Sequence, residues 1–128
     1  MENETIINYL TNHIELTYNG IEWNFKNPNY KSQRAHLLNA IDEIQKCVWW
    51  LVEFHKPNRT MENVKSSYGL KYYVEKYFGE YVSNGCFVTA VELLRINHRK
   101  YEGDPNIYLP FNKKRLKEYR KKFFNPRN

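Results

Sequence analysis

Apolar and polar residues alternate along the first part of the chain in the pattern of a β-hairpin. Two runs, at 14–18 and 21–25, flank Asn19-Gly20. This dipeptide is preferred in a two-residue type I′ turn because both central residues take positive φ. With that turn, the apolar side chains of both runs lie on one face. The predicted cross-strand pairs are Tyr18 with Ile21, Leu16 with Trp23 and Ile14 with Phe25.

Helical spacing of apolar residues predicts a short helix over residues 2–12 and a longer one after the hairpin. The longer helix follows the breaking segment 27–29, runs to about His55 and is ended by Pro57-Asn58. Its apolar stripe contains Leu37, Ile41, Ile44, Val48, Leu51, Val52 and His55.

Two aromatic residues of the long helix, Trp50 and Phe54, project away from that stripe. One explanation is a central helix that is covered on two sides, because large aromatic residues usually mark the core. The other is an exposed patch that binds a protein partner.

Capping residues predict a second pair of helices. The hydroxyls of Ser66-Ser67 and Ser83 can accept hydrogen bonds from the first amides of a helix, and Gly79 suits the position just after a helix end. These signals predict a helix-turn-helix-like pair at 67–96.

The second helix of this pair has polar residues at its N-terminus, Ser83 and Asn84, which could reach base edges in DNA. Glu80 in the turn and Glu92 on the helix would repel phosphate. The alternative is that the pair belongs to the core.

The last part of the chain predicts a strand and a helix. Weak alternation at 106–111 predicts a third strand that pairs with the hairpin, and Asn112 can cap a final helix. The predicted fold is therefore α+β, one mainly helical domain over 1–128. It comprises the hairpin and long helix (1–56), a motif region (66–111) and a basic C-terminal helix (112–128).

The positive charge is concentrated at the C-terminal end. The chain has 20 Lys and Arg against 14 Asp and Glu, a net charge of +6. Residues 1–25 hold four acids and no base, whereas residues 112–128 hold eight bases and one acid. Leu116, Tyr119 and Phe123 share a narrow sector of the final helix, and bases occupy the rest. Such asymmetry predicts a surface for a polyanion or a tail that contacts an acidic face.

Bases that alternate with aromatic residues favour nucleic acid as the polyanion, because cations contact phosphates and rings stack on unpaired bases. In this hypothesis the apolar sector docks the final helix and its bases meet phosphates. The candidate nucleic-acid-binding residues are Lys113, Lys114, Lys117, Arg120, Lys121, Lys122, Ser83, Asn84, Lys71, Arg99 and Lys100.

Catalytic and metal-binding signatures are missing from the sequence. It contains no phosphate-binding glycine loop, dinucleotide fingerprint or nucleophile elbow. Cys47 and Cys86 stand in apolar surroundings without a paired motif, and the four histidines are scattered. We therefore expect buried thiols, no metal, no cofactor and no enzymatic activity. The acidic first residues and the lack of a long apolar run predict a cytoplasmic protein without membrane contact.

Three short segments resemble a motif of small bacteriophage, plasmid and genomic-island proteins. They are SSYGLKYYVE at 66–75, YVSNGCFVTA at 81–90 and NIY at 106–108. The family motif is roughly SSYxLKHxxE, YVSNGxFIxAA and NxYF, and Tyr72 stands where the family usually has His. The resemblance covers about residues 66–111 and implies an accessory protein of a mobile element.

Together, these observations predict a non-catalytic accessory protein of a phage or related element that binds nucleic acid through its C-terminal helix. The alternative is an anti-CRISPR-like inhibitor or an adaptor, which binds a host defence nuclease or an element-encoded replication enzyme. Trp50, Phe54 and the acidic 1–25 segment motivate that alternative.

Overall fold

Six helices, a two-stranded hairpin and a three-stranded sheet make up the part of the chain that the computed structural model describes, residues 1–56 and 60–124. This confirms the predicted α+β, mainly helical fold. Pro57 and Asn58, predicted to end a helix, and the last four residues of the basic tail lie outside the described residues. The elements are α1 (Asn3–Thr11), β1 (Leu16–Thr17), β2 (Gly20–Ile21), α2 (Tyr30–Leu38), α3 (Ile41–Phe54), β3 (Val64–Ser66), α4 (Ser67–Phe78), α5 (Asn84–Leu93), β4 (Arg99–Lys100), β5 (Ile107–Pro110) and α6 (Lys113–Phe124).

Helix α5 lies at the centre of the core. All residues from 84 to 92 are buried, and α5 packs against α3, α4 and the hairpin. A helix buried on every side is typical of the middle of a domain. None of the helices in the described ranges is long and apolar enough to cross a membrane.

The predicted caps of the helices are confirmed. Ser66 Oγ accepts from Gly69 N at 3.1 Å, and Ser83 Oγ accepts from Cys86 N at 3.0 Å. Gly79 ends α4 in the left-handed region, with φ +69°. Helix α5 ends at Leu93, slightly before the predicted end near residue 96. Local capping chemistry therefore specifies both ends of α4 and the start of α5.

The single long helix predicted before residue 55 is wrong, because the chain forms two helices that break at Asn39 and Ala40. The side chain of Arg34 on α2 donates to the carbonyl oxygens of Leu10, His13 and Leu16. These bonds tie α2 to the N-terminal segment while α3 runs into the core. The predicted stripe is otherwise mostly buried, although Val52 is 58% exposed.

The hairpin forms, but its predicted turn and register are wrong. Tyr18 and Asn19 occupy the turn, so Leu16 pairs with Ile21 and Thr17 with Gly20. Two contacts outside the hairpin favour this register: Ile21 N donates to Pro105 O at 3.0 Å, and Gly85 N donates to Tyr18 O at 2.9 Å.

The shifted register changes which side chains are buried. Thr17, predicted on the polar face, is buried, and its Oγ1 donates to Gly20 O at 2.9 Å. Ile14, Trp23 and Phe25 are exposed. Only part of the apolar face that the alternation predicts is therefore buried.

The strand predicted at 106–111 exists as β5, but it does not pair with the hairpin. It lies between β3 and β4 in an antiparallel sheet of order β3-β5-β4. Lys65 pairs with Leu109, and Lys100 pairs with Ile107. The sequence did not predict the other two strands of this sheet, β3 and β4, because they are too short to show alternation.

Candidate nucleic-acid interface

Helix α6 is docked on the core by an apolar side and a buried hydroxyl. Leu116 and Tyr119 are buried. Tyr119 Oη accepts from Trp50 Nε1 at 2.8 Å and donates to Tyr73 O at 3.1 Å. Burial raises the pKa of Tyr119 to about 12, so its hydroxyl keeps its proton. Asn112 Oδ1 accepts from Arg115 N at 3.0 Å, which confirms the predicted cap.

The other sides of α6 carry exposed bases. In the described part of α6 these bases are Lys113, Lys114, Arg115, Lys117, Arg120, Lys121 and Lys122, and the one acid is Glu118. Within residues 1–56 and 60–124, three ion pairs form, Lys46–Glu80, Lys71–Glu75 and Lys100–Glu92. None of the three involves α6, so its charge is not neutralised by a described carboxylate.

A groove of about 520 Å³ runs beside α6 and brings together part of the predicted set. Four predicted bases line it: Lys113, Lys117, Arg120 and Lys121. Lys114 does not line it, and Lys122 lines a neighbouring depression beside Phe123. The remaining lining residues are Lys65, Tyr73, Phe111 and Leu116, so an apolar floor lies between five cations.

Lys65 and Phe111 are groove residues that sequence reasoning missed. Lys65 lies on β3, and its Nζ is 6.0 Å from the centre of the Phe111 ring. Phe111 follows β5, and its amide donates to Asn63 O at 3.0 Å. Lys65 could not be recognised from the sequence because its strand, Val64–Ser66, is too short to show a pattern.

The segment that leads into the groove is also held by a buried histidine. His55 Nε2 donates to Pro110 O at 3.0 Å, and His55 is 6% exposed. Burial lowers the pKa of His55 to about 4. The neutral imidazole therefore fixes the start of the connection between β5 and α6 at ordinary pH.

Ser83 and Asn84, predicted to reach DNA, are instead buried, so that prediction is wrong. Asn84 Oδ1 accepts from Ser67 Oγ at 2.7 Å, and Asn84 Nδ2 donates to Asn19 O at 2.9 Å. Ser67 Oγ also accepts from Ile107 N at 3.1 Å. Buried polar groups need such partners, and here they join two helices, the hairpin turn and β5.

A close backbone contact completes this junction. A Cβ at Gly85 would lie 1.8 Å from Thr17 O, so only glycine lets α5 approach β1 at this point. The three motif segments at 66–75, 81–90 and 106–108 thus meet in the interior. Their polar and glycine residues hold the fold together.

The other bases predicted to bind nucleic acid lie away from the groove. Lys71 is 5% exposed, between the rings of Tyr68 and Tyr81 and in an ion pair with Glu75, so its predicted role is wrong. Arg99 and Lys100 lie on β4, at the sheet edge opposite β3. Arg99 is exposed, whereas Lys100 Nζ lies 2.9 Å from Glu92 Oε2.

The protein-partner patch predicted at Trp50 and Phe54 is wrong, because α6 covers it. Trp50 is 1% exposed, and the Phe54 ring lies 5.1 Å from that of Tyr119. The neighbouring Trp49 is 45% exposed instead. Trp50 and Phe54 thus belong to the aromatic core, the other explanation that the sequence offered.

The two cysteines are buried free thiols, as predicted. Burial raises the pKa of both Cys47 and Cys86 well above the ordinary range, which makes them poor nucleophiles. In the described ranges, no three His, Cys, Asp or Glu side chains are grouped to hold a metal ion.

The chain matches no family model, and comparisons with curated proteins and with solved structures gave no match.

Proposed function

We propose that this protein binds nucleic acid through the basic groove beside α6. The observation that carries the proposal is the gathering of Lys65, Lys113, Lys117, Arg120 and Lys121 around one groove. The α6 members of this set form no ion pair with a described carboxylate. We further propose that it acts as a non-catalytic accessory protein of a bacteriophage or related mobile element, a role suggested by the motif resemblance.

The chemistry of the groove suits a phosphate backbone. Cations that contact phosphates release the counterions condensed on the nucleic acid, and this release drives binding without reading the sequence. The α6 cations are presented by a helix whose other side is fixed by Leu116 and Tyr119. They therefore lose less freedom on binding than they would in an unstructured tail.

Charge reversal on the groove tests the proposal. In the double variant Lys117→Glu/Lys121→Glu, affinity for a fluorescent 20-nucleotide DNA should fall at least about tenfold, since two contacts are lost and two repulsions appear. The matched control is Lys26→Glu/Lys31→Glu, which has the same charge change at exposed positions near the hairpin. Its affinity should stay within about threefold of wild type. An equal loss in both variants, or none in the groove variant, would contradict the proposal.

A second candidate function, an inhibitor or adaptor that binds a protein, is favoured by a different surface. Trp49 and Val52 are exposed on α3, and Trp49 lines an apolar depression of about 360 Å³ with Tyr77 and Phe78. Exposed apolar patches of this kind often mark protein contacts. In this second function the partner is a host defence nuclease or an element-encoded replication enzyme.

The two functions separate in a capture experiment from nuclease-treated host lysate. A stoichiometric protein that wild type retains and Val52→Glu loses would support the inhibitor or adaptor. Loss of all captured material after nuclease treatment would support direct binding of nucleic acid.

A further inference from the structure

We infer that the groove takes single-stranded nucleic acid and seats one unpaired base on the ring of Phe111. This inference rests on the proposed binding of nucleic acid and names the form of nucleic acid that the groove accepts. It comes from the floor of the groove, whereas the proposed function comes from the cations around it.

The floor offers one accessible aromatic ring. Tyr73 and Leu116 also line the groove, but they are 5% and 9% exposed. Phe111 is half-buried, and its backbone is held by the bond from its amide to Asn63 O and by the bond from His55 to the preceding Pro110 O. A partly exposed aromatic ring on a fixed stretch of backbone is a platform on which nucleobases stack.

The cations around this floor come from two elements of the fold. Lys65 approaches from β3, and Lys113, Lys117, Arg120 and Lys121 approach from α6. A single strand in the groove can direct its phosphates to the cations of both elements while one base turns down onto Phe111. The volume of about 520 Å³ lies in the range of small-ligand pockets, so an unpaired base has room to enter.

A duplex would use only part of this surface. Its bases are paired and stacked in the interior of the double helix, so it presents phosphates toward the groove. Phosphates interact with the cations, but they do not bury the apolar floor, which would remain hydrated. An acidic peptide would also leave the floor uncovered, because glutamate and aspartate side chains carry no ring.

The test compares three fluorescent probes by anisotropy at one salt concentration. They are a 12-nucleotide oligothymidylate, its duplex with oligoadenylate, and an abasic 12-mer with the same phosphates but no bases. We expect the oligothymidylate to bind about tenfold more tightly than the abasic strand, as one stacked base contributes. It should also bind more tightly than the duplex.

Two substitutions separate stacking from folding. Phe111→Leu keeps an apolar side chain but removes the ring, and it should bind oligothymidylate about tenfold more weakly and the abasic strand as wild type does. Phe111→Tyr keeps the ring and should restore the preference. Unfolding curves for both variants verify that the groove is intact.

Four results would overturn the inference. The first is equal affinity for oligothymidylate and the abasic strand, and the second is a duplex that binds as tightly as the single strand. The third is an equal loss of affinity for every probe in Phe111→Leu. The fourth is a 12-residue polyglutamate that displaces the bound probe as effectively as oligothymidylate does. The first three leave the proposed binding of nucleic acid standing if the probes still bind. If none of the nucleic-acid probes binds, both proposals fail.

Discussion

Removing one oxygen from the anchor of α6 should loosen the whole helix. In Tyr119→Phe the ring stays in its cluster, but Trp50 Nε1 loses its acceptor and Tyr73 O loses a donor. Trp50 is 1% exposed, so water cannot easily replace the missing partner. The variant therefore tests whether a buried hydrogen bond holds the basic surface on the core.

The expected cost follows from the two groups that lose a partner. An unsatisfied buried N–H costs about 1–3 kcal/mol, and Tyr73 O, inside α4, keeps its helical bond and adds less. The free energy of unfolding should fall by about 2 kcal/mol. With an m-value of about 2 kcal/mol/M, typical of small proteins in urea, the urea midpoint should fall by about 1 M.

The assay is equilibrium urea unfolding followed by circular dichroism, with Tyr77→Phe as the matched control. Tyr77 lies in the same aromatic cluster, and its hydroxyl makes no hydrogen bond within the described residues. Its midpoint should change by less than about 0.3 M. If the two variants unfold at the same urea concentration, the hydroxyl does not anchor α6 and the reasoning is wrong.

Three further predictions concern the core. In urea unfolding, Gly85→Ala should destabilise the protein by about 3 kcal/mol, since its Cβ meets a β1 carbonyl oxygen. Gly69→Ala should stabilise α4 by about 0.5 kcal/mol, because its Cβ meets only Ser66 Oγ at 3.5 Å, an ordinary contact; similar effects of the two substitutions would contradict the close approach of α5 to β1. The pKa of His55 is about 6.5 in the unfolded chain and about 4 in the folded protein. The contribution of the neutral imidazole to stability is therefore fully present above pH 6.5 and is lost as the pH falls toward 4. At pH 5, protonation of His55 in the unfolded chain should lower the free energy of unfolding of the wild type by about 2 kcal/mol. His55→Gln should lack this loss in urea titrations at the same pH values, and an equal loss in both proteins would refute the prediction. Cys47 and Cys86 should react with a thiol reagent at pH 8 only after unfolding, and prompt labelling of the native protein would show that they are accessible.

Features encoded by neighbouring residues could be predicted from the sequence. The caps at Ser66, Ser83 and Asn112 and the glycine end at Gly79 depend on one side chain and the next few amides. The apolar sector of α6 and its basic remainder follow from spacing on a single helix. These local signals predicted most helices and the charged face of the candidate site.

Features set by distant contacts could not be predicted. The hairpin register depends on Pro105 and Gly85, which are remote in sequence, and the break at Asn39 accompanies the hydrogen bonds of Arg34. For the same reason the buried state of Lys71 was missed, since its cover comes partly from Tyr81 on the next connection. The sequence does not show whether a polar residue at the start of a helix contacts solvent or the backbone of another segment.

The groove was only half predicted for the same physical reason. The cations of α6 could be predicted from the distribution of charge. Lys65, in contrast, lines the groove only because β3 pairs with β5, and the paired residues are more than 40 positions apart in the sequence. Phe111 enters the site only because that pairing sets the position of the chain before α6. Pairing between short strands is specified by the whole fold, and a three-residue pattern does not reveal it.

The central claim, that five cations around the α6 groove bind a phosphate backbone, is tested most directly by the salt dependence of binding. Five contacts with a single strand predict a slope of about −3.5 when the logarithm of the association constant is plotted against the logarithm of the salt concentration. Lys117→Glu/Lys121→Glu should give a shallower slope. A wild-type slope near zero, or one that the double variant leaves unchanged, would contradict the account.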